Sequence, residues 1–457
     1  MARFNFEGLF GGARYMLVSF VVLLGQHLIL LALVWWSREP TVPPLWIWIN
    51  PGRELVFGAF MGRESLAAAT LPVGVVVTLA ADALLIGLAF RRARYVRGPS
   101  WIPILTITPV LQLLVITWLA AAPARRGPLE DRPSRAARTV AFGLLAGVGL
   151  TLLVVAFSVL LLGTYGYTLF LAAPFVIALV IGYIANRPEQ ASRLRTSGLV
   201  SSAFLLGGLA LIGFAFEGLI CLVMASPLIA LMGWIGALTG RSLAGMGRPG
   251  RGTTLASVAV LPILLAGEAL APPRDDFESV ESIEIAAPPA AVWDSVVHMG
   301  PIPGAPAAPF RWGLAYPMRG EIQGEGVGAI RRGVFSTGVA YERVTAWEPG
   351  RRLDFIVLSD PPSLKELSPY EQVNAPHMNG YFRTRDARFS ITPLPGGRSR
   401  LTLATHHDLD LAPAAYWTPM AQWAVHANKQ RVLHHFRRQA EAGREDVGAT
   451  PATSIPE

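Results

Sequence analysis

Polar positions are sparse and grouped over the first 270 residues; beyond the Pro272–Pro273 pair they alternate with apolar ones. A helix crossing the hydrocarbon core of a bilayer needs about 20 consecutive apolar residues. That criterion predicts spans near 14–36, 68–90, 101–122, 139–163, 166–184, 199–217, 219–240 and 253–271. Pro103 and Pro109 interrupt the third of these, and Pro227 allows 198–240 to be read as one span plus a re-entrant piece. An all-α polytopic membrane bundle of seven or eight spans is therefore expected over 1–271.

The second part has a different rhythm. Pro272 to Asp276 read as a stiff polar linker, placed at 272–278. SVESIEI then alternates as a strand, and PPAAVWDSVVHM has helical period with Pro288 and Pro289 at its first turn. Strand-like runs follow near 311–318, 327–336, 338–347, 352–359, 380–393 and 398–409, joined by turn-forming Gly and Pro. From Pro413 to Ala442 an amphipathic helix carries Val425, Val432, Phe436 and Ala440 on one stripe. The expected order is strand, helix, about six strands and a long terminal helix over 279–442. Residues 443–457 hold no core-forming pattern and are expected to be disordered.

Charge deepens this division. Residues 1–270 hold 20 Arg, no Lys and 10 acidic residues, whereas the rest is nearly balanced, with 19 basic and 21 acidic. The basic excess thus belongs to loops between apolar runs, where the positive-inside rule accounts for it and nucleic-acid binding does not. Arg groups at 91–97, 125–138, 187–195 and 241–251 follow the second, third, fifth and seventh segments. The last three are separated by helical hairpins, so they share one face, the cytoplasmic one. The eighth segment then leads outward, and the C-terminal domain is expected to be extracytoplasmic on a bacterial inner membrane. The first Arg group agrees only if segment 101–122 is re-entrant. Only two lysines, Lys365 and Lys429, stand against 37 arginines, a usage that fits a high-GC bacterial genome. The single Cys221 supports neither a disulfide framework nor a thiolate metal site.

Intramembrane carboxylates are costly and default to a functional hypothesis. Asp82 lies mid-span, with Gln26 and His27 in the first span as its expected partners; Glu217 is expected in a hairpin turn and Glu268 at an interface. Trp35, Trp36, Trp46 and Trp48 read as an interfacial belt.

The segments IEIAAPPAAVWDSV, GVGAIRRGVFSTGVAYERVTAWEPGRRLDF and SRLTLATHHDL, followed by the terminal helix, resemble the SRPBCC superfamily of START-like and polyketide cyclase/dehydrase proteins. The resemblance covers about residues 278–442 and implies an α+β helix-grip fold, a curved antiparallel sheet holding the long helix around a cavity for an apolar ligand. It carries no catalytic motif with it, and fold alone does not supply function.

Alternation along 399–409 puts Leu401, Leu403, Thr405, His407 and Leu409 on one face and His406 and Asp408 on the other. The adjacent histidines therefore cannot both hold a metal or line one cavity. His426, His434 and His435 lack metal-site spacing, and no cofactor motif is present. Candidate cavity residues are His407, Thr405, Leu403, Tyr381, Arg331 and Glu342. The tryptophans at 293, 312, 347, 417 and 423 are expected in the core, and loop 360–379 as a lid or an unstructured excursion. The leading expectation is a membrane-tethered domain that binds a lipid or other apolar molecule. The alternatives are a cyclase or dehydratase using His407, or Glu342 with Arg331, as acid and base, and a transporter-like membrane part with a regulatory domain.

Overall fold

The computed structural model describes residues 11–36, 65–96, 98, 102–107, 111–123, 135–187, 189–214, 216–246, 251–304, 306–308, 310–368 and 376–448. It divides into one unit built on Met1–Leu270 and another built on Ala271–Leu367 and Pro376–Glu457.

The first unit is helical: α1 Gly12–Trp36, α2 Ser65–Val96, α3 Leu111–Ala121, α4 Arg135–Ala156, α5 Ala173–Asn186, α6 Arg193–Gly213, α7 Leu219–Gly245 and α8 Arg251–Leu270. Among the described residues six helical stretches are long and apolar enough to cross a membrane: Gly12–Trp36, Pro72–Val96, Phe142–Val159, Thr168–Asn186, Arg193–Gly213 and Leu219–Gly245. The expected seven or eight spans are thus corrected to six.

Proline accounts for the third segment. Segment 101–122 contains a 3₁₀ turn, Ile102–Ile107, and the 11-residue α3, whose length of about 16 Å is half the hydrocarbon thickness. Its C-terminal carbonyls are held from α2: buried Arg92 donates to Leu119 O at 2.9 Å, Ala120 O at 3.4 Å and Ala122 O at 2.8 Å. These are the orphan acceptors a helix end must satisfy, at the negative pole of its dipole. Helix α8 runs through Pro262 for 20 residues, Arg251–Leu270, and its apolar described stretch is Val258–Leu270.

Pro227 does not break its helix, and α7 runs unbroken for 27 residues. The re-entrant alternative for 198–240 falls with it. Helix α7 lies against α5 at backbone distance, since a Cβ at Gly236 or Gly240 would overlap Phe175 O or Leu179 O. That is the small-xxx-small contact of membrane helices. Trp46 and Trp48 lie outside the described residues.

The second unit is a seven-stranded antiparallel sheet with two main helices. Its strands are β1 Asp275–Ile285, β2 Pro317–Gln323, β3 Ile330–Phe335, β4 Gly338–Glu348, β5 Arg352–Ser359, β6 Phe382–Leu394 and β7 Arg398–Leu409. Helix α9, Pro289–Val297, follows β1, and α10, Ala414–Gly448, closes the chain. The order across the sheet is β1-β7-β6-β5-β4-β3-β2. Helix α10 packs on β1, β7 and also β2, the two edges included, so the sheet curls around it. The enclosed core joins Ile285, Val292, Val344, Leu353, Phe389, Leu401, Leu433 and Phe436.

Three boundaries differ from expectation. Asp275–Glu278, read as linker, are the first rungs of β1, paired with 406–409 of β7. The run 311–318 is a 3₁₀ turn, Phe310–Trp312, and the strand begins only at Pro317. Proline is tolerated there because β2 is an edge strand and Pro317 its first residue. Helix α10 extends to Gly448, past the expected end at Ala442. Residues 449–457 of the expected tail lie outside the described residues.

Candidate functional site

Inward-facing residues divide the sheet into two zones. Toward the turns that join β4 to β5 and β6 to β7, the concave face is apolar: Ile285, Leu353, Phe389, Ile391 and Leu401 meet Leu433 and Phe436 of α10. Toward the other end, where β1 begins, buried polar groups replace them.

Strand pairing sets this polar zone. Register places His407 of β7 between Phe277 of β1 and Thr384 of β6. Its ring lies 5.1 Å from that of Phe277 and stacks at 5.2 Å on Phe382. Both ring nitrogens meet threonine hydroxyls, Nε2 with Thr405 at 2.7 Å and Nδ1 with Thr384 at 3.2 Å. A neutral imidazole has one donor and one acceptor and is satisfied by that pair. Burial pushes His407 down to about 3, helped by the nearby cations Lys429 and Arg385.

Two groups that sequence reasoning did not single out complete the zone. Lys429 of α10, only 4% exposed, donates to Leu403 O at 3.2 Å and to Ser279 O, bridging β7 and β1. Burial lowers its ammonium to about 8, against the pull of Glu281 and Glu278. Asp360, the residue after β5, accepts from the Thr384 amide at 2.9 Å. Burial raises its carboxyl to about 6; the Thr384 amide opposes the shift and Glu342 adds to it. One hydrogen-bonded run thus connects Asp360, Thr384, His407 and Thr405.

Arg331 and Glu342, opposite one another on β3 and β4, form a buried ion pair. The guanidinium also lies 4.9 Å above the Phe355 ring. Burial raises the Glu342 carboxyl, and Arg331 opposes that rise.

The remaining candidates are placed as follows. Leu403 is a core side chain whose carbonyl serves Lys429. Half-buried Tyr381 precedes β6, its carbonyl accepting from Asp410 N at 2.7 Å. His406 points to the outer face, with Nδ1 2.7 Å from Asp386. Trp293 and Trp347 pack edge-to-face beside the core and Trp417 is buried. Trp312 and Trp423, expected inside, are 60% and 50% exposed. In the first unit Asp82 is buried on α2, whereas Gln26 and His27 on α1 are half-buried. Glu217 sits in the turn between α6 and α7 and accepts from Tyr165 OH at 3.0 Å; Glu268 accepts from Thr168 N at 2.8 Å.

No family model matches the chain, and no curated protein does. Among solved structures it is similar to the Zhui aromatase/cyclase from Streptomcyes sp. R1128, at 16% identity and TM-score 0.27, over 38% of this chain and 100% of that one. It is also similar to a protein from Nitrosomonas europaea, at 12% identity and TM-score 0.23, over 37% of this chain and 96% of the other. A protein from Mesorhizobium loti matches at 17% identity and TM-score 0.21, over 35% and 98%.

Proposed function

We propose that the second unit binds a lipid or another small apolar molecule beside the membrane in which the first unit is anchored, for sensing, sequestration or transfer. One observation carries this reading: the concave face is apolar at one end and lined at the other by buried polar side chains. A protein core built for stability alone avoids such groups, because each costs free energy unless fully paired. Amphipathic molecules present the same succession of apolar body and polar end. Tethering holds the binding unit at high effective concentration at the lipid surface.

The broken third segment supports a sidedness for this anchor. With 102–121 as a re-entrant pair of short helices, all four Arg groups fall on one face, as the positive-inside rule requires of a cytoplasmic face. This sidedness requires in addition that α8 cross with its full 20 residues, Arg251–Leu270, although its described apolar stretch is only Val258–Leu270; on that reading the second unit lies outside the cytoplasm of a bacterial inner membrane.

The test compares the full chain, purified in detergent, with a chain ending at Leu270. Mass spectrometry of solvent extracts is expected to find one additional apolar species in the full chain. A fluorescent fatty-acyl probe is expected to bind it saturably. Equal lipid content in both chains, with no saturable probe binding, sinks the reading.

Asp360 favours an enzymatic alternative, since a carboxyl near 6 is suited to proton transfer close to neutral pH. In that alternative His407, whose two nitrogens are already engaged, positions Thr384 and Thr405 and does not itself move the proton.

A further inference from the structure

The polar end of the sheet is also where the chain arrives from α8. Asp275, the first residue of β1, faces Leu409 at the end of β7, which in turn faces Phe382 at the start of β6. From the same end the segment after β5 turns back and is stitched to residues 313–315. Lys365 N donates to Gly313 O at 2.7 Å, Ala315 N donates to Ser363 O at 3.0 Å, and Leu314 pairs with Leu364. That stitching brings exposed Trp312 and Leu367 together with Arg311 and Lys365. Buried Phe310 stacks at 5.6 Å on Trp423 of α10, itself half exposed, and so adds a second indole.

We propose that this aromatic and basic surface docks on the headgroup layer of a bilayer containing anionic phospholipid. Four residues, Ala271–Arg274, separate α8 from β1, a tether that reaches at most about 14 Å. The tether thus limits how far the end of the sheet where β1 begins can move from the end of α8. Indole rings favour the headgroup region, being apolar with one polar edge, and Arg311 and Lys365, with half-buried Glu366 between Lys365 and Leu367, leave one net positive charge toward anionic headgroups. The far end of the sheet contrasts with this: its β4–β5 turn exposes the Arg351–Glu348 ion pair. The proposal does not depend on the ligand reading, because docking requires no occupied cavity.

The experiment uses the full chain, with Cys221→Ala, one copy per nanodisc of phosphatidylcholine with phosphatidylglycerol. A fluorophore is placed at Gln422→Cys, exposed beside Trp423, or at Arg351→Cys at the far end. Headgroup-labelled quencher lipid is expected to quench the first probe several-fold more than the second. Trp312→Ala with Trp423→Ala should bring both to the same level. Arg311→Gln with Lys365→Gln, both exposed and safe for folding, should weaken docking about fivefold per charge in anionic discs only. Equal quenching at the two positions overturns the proposal. So does a probe at 422 that is shielded from soluble quencher yet untouched by lipid quencher, since protein would then cover the patch. If the tryptophan pair fails to fold, the charge pair decides alone.

Discussion

The two ends of the concave face spend the same sheet in opposite ways. At the far end, Leu353, Leu401, Leu433 and Phe436 have no measurable exposure and carry no polar side-chain atoms. At the tethered end, His407, Thr405, Lys429, Arg331 and Glu342 are almost as deeply buried, yet each must find a partner. The far end holds the fold by removing area from water; the tethered end consumes part of that gain to keep hydrogen-bonding groups inside.

The largest effect that would break this contrast lies at the far end. Phe436→Ala empties a fully buried ring packed edge-on against Phe389 and should cost about 4 kcal/mol of second-unit stability. Urea unfolding of the full chain in detergent, read by pulse proteolysis, measures it; a loss below about 1 kcal/mol would mean the far end is loosely packed.

Next comes the buried ion pair. Glu342→Leu leaves the Arg331 guanidinium uncompensated and should cost about 3 kcal/mol, whereas Arg331→Met with Glu342→Leu should be close to neutral or stabilising. A strongly destabilised double variant would show that the pair is held for the fold rather than for what enters beside it.

Strands β4, β5 and β7 were legible from two-residue alternation bounded by Gly and Pro, and α10 from its stripe. The polar zone was only partly so. His407 and Thr405 followed from parity along β7, but Thr384 did not. Counting back by twos from Ile391, Phe389 and Ala387 puts Arg385 and Arg383 inside, and a bulge between Thr384 and Asp386 reverses that parity. Bulges leave little trace in a hydrophobic pattern. Lys429 did leave a trace: it falls on the stripe of Val425, Val432 and Phe436, so its burial was readable, though as a lysine it passed for composition. Asp360 was invisible because its burial depends on a loop returning over the sheet.

A smaller effect separates Asp360 from His407 by pH. His407 titrates near 3 when folded and 6.5 when not, so acidification through that window protonates the unfolded chain and lowers stability. Asp360 titrates near 6 when folded and 3.8 when not, so acidification through its window favours the folded chain. Between pH 6 and 4 the two slopes cancel, so this pair adds nothing to the fall in stability with acid that His377, pushed down to about 4 by burial, imposes over the same window. Asp360→Asn should expose the His407 slope, losing about 1.4 kcal/mol per pH unit more than the parent as pH falls. His407→Gln should do the reverse. Profiles for both variants that run parallel to the parent would refute the pairing.

The smallest effect at neutral pH belongs to Lys429→Met. It relieves the cost of burying an ammonium but deprives Ser279 O and Leu403 O of a donor, and these oppose one another to within about 1 kcal/mol. Alkaline titration separates them. Folded Lys429 releases its proton near 8 and an unfolded lysine near 10.5, so the unfolded chain holds one more proton between these values. Parent stability should therefore rise by about 1.4 kcal/mol per pH unit from pH 8.5 to 10, a rise that the methionine variant lacks. The Tyr381 phenol, raised by burial, acts only above its ordinary value of 10 and equally in both chains, so it drops out of the difference. Parallel profiles over that range would mean the amine reaches water, and the tethered end of the sheet would then be open at α10 rather than sealed by it.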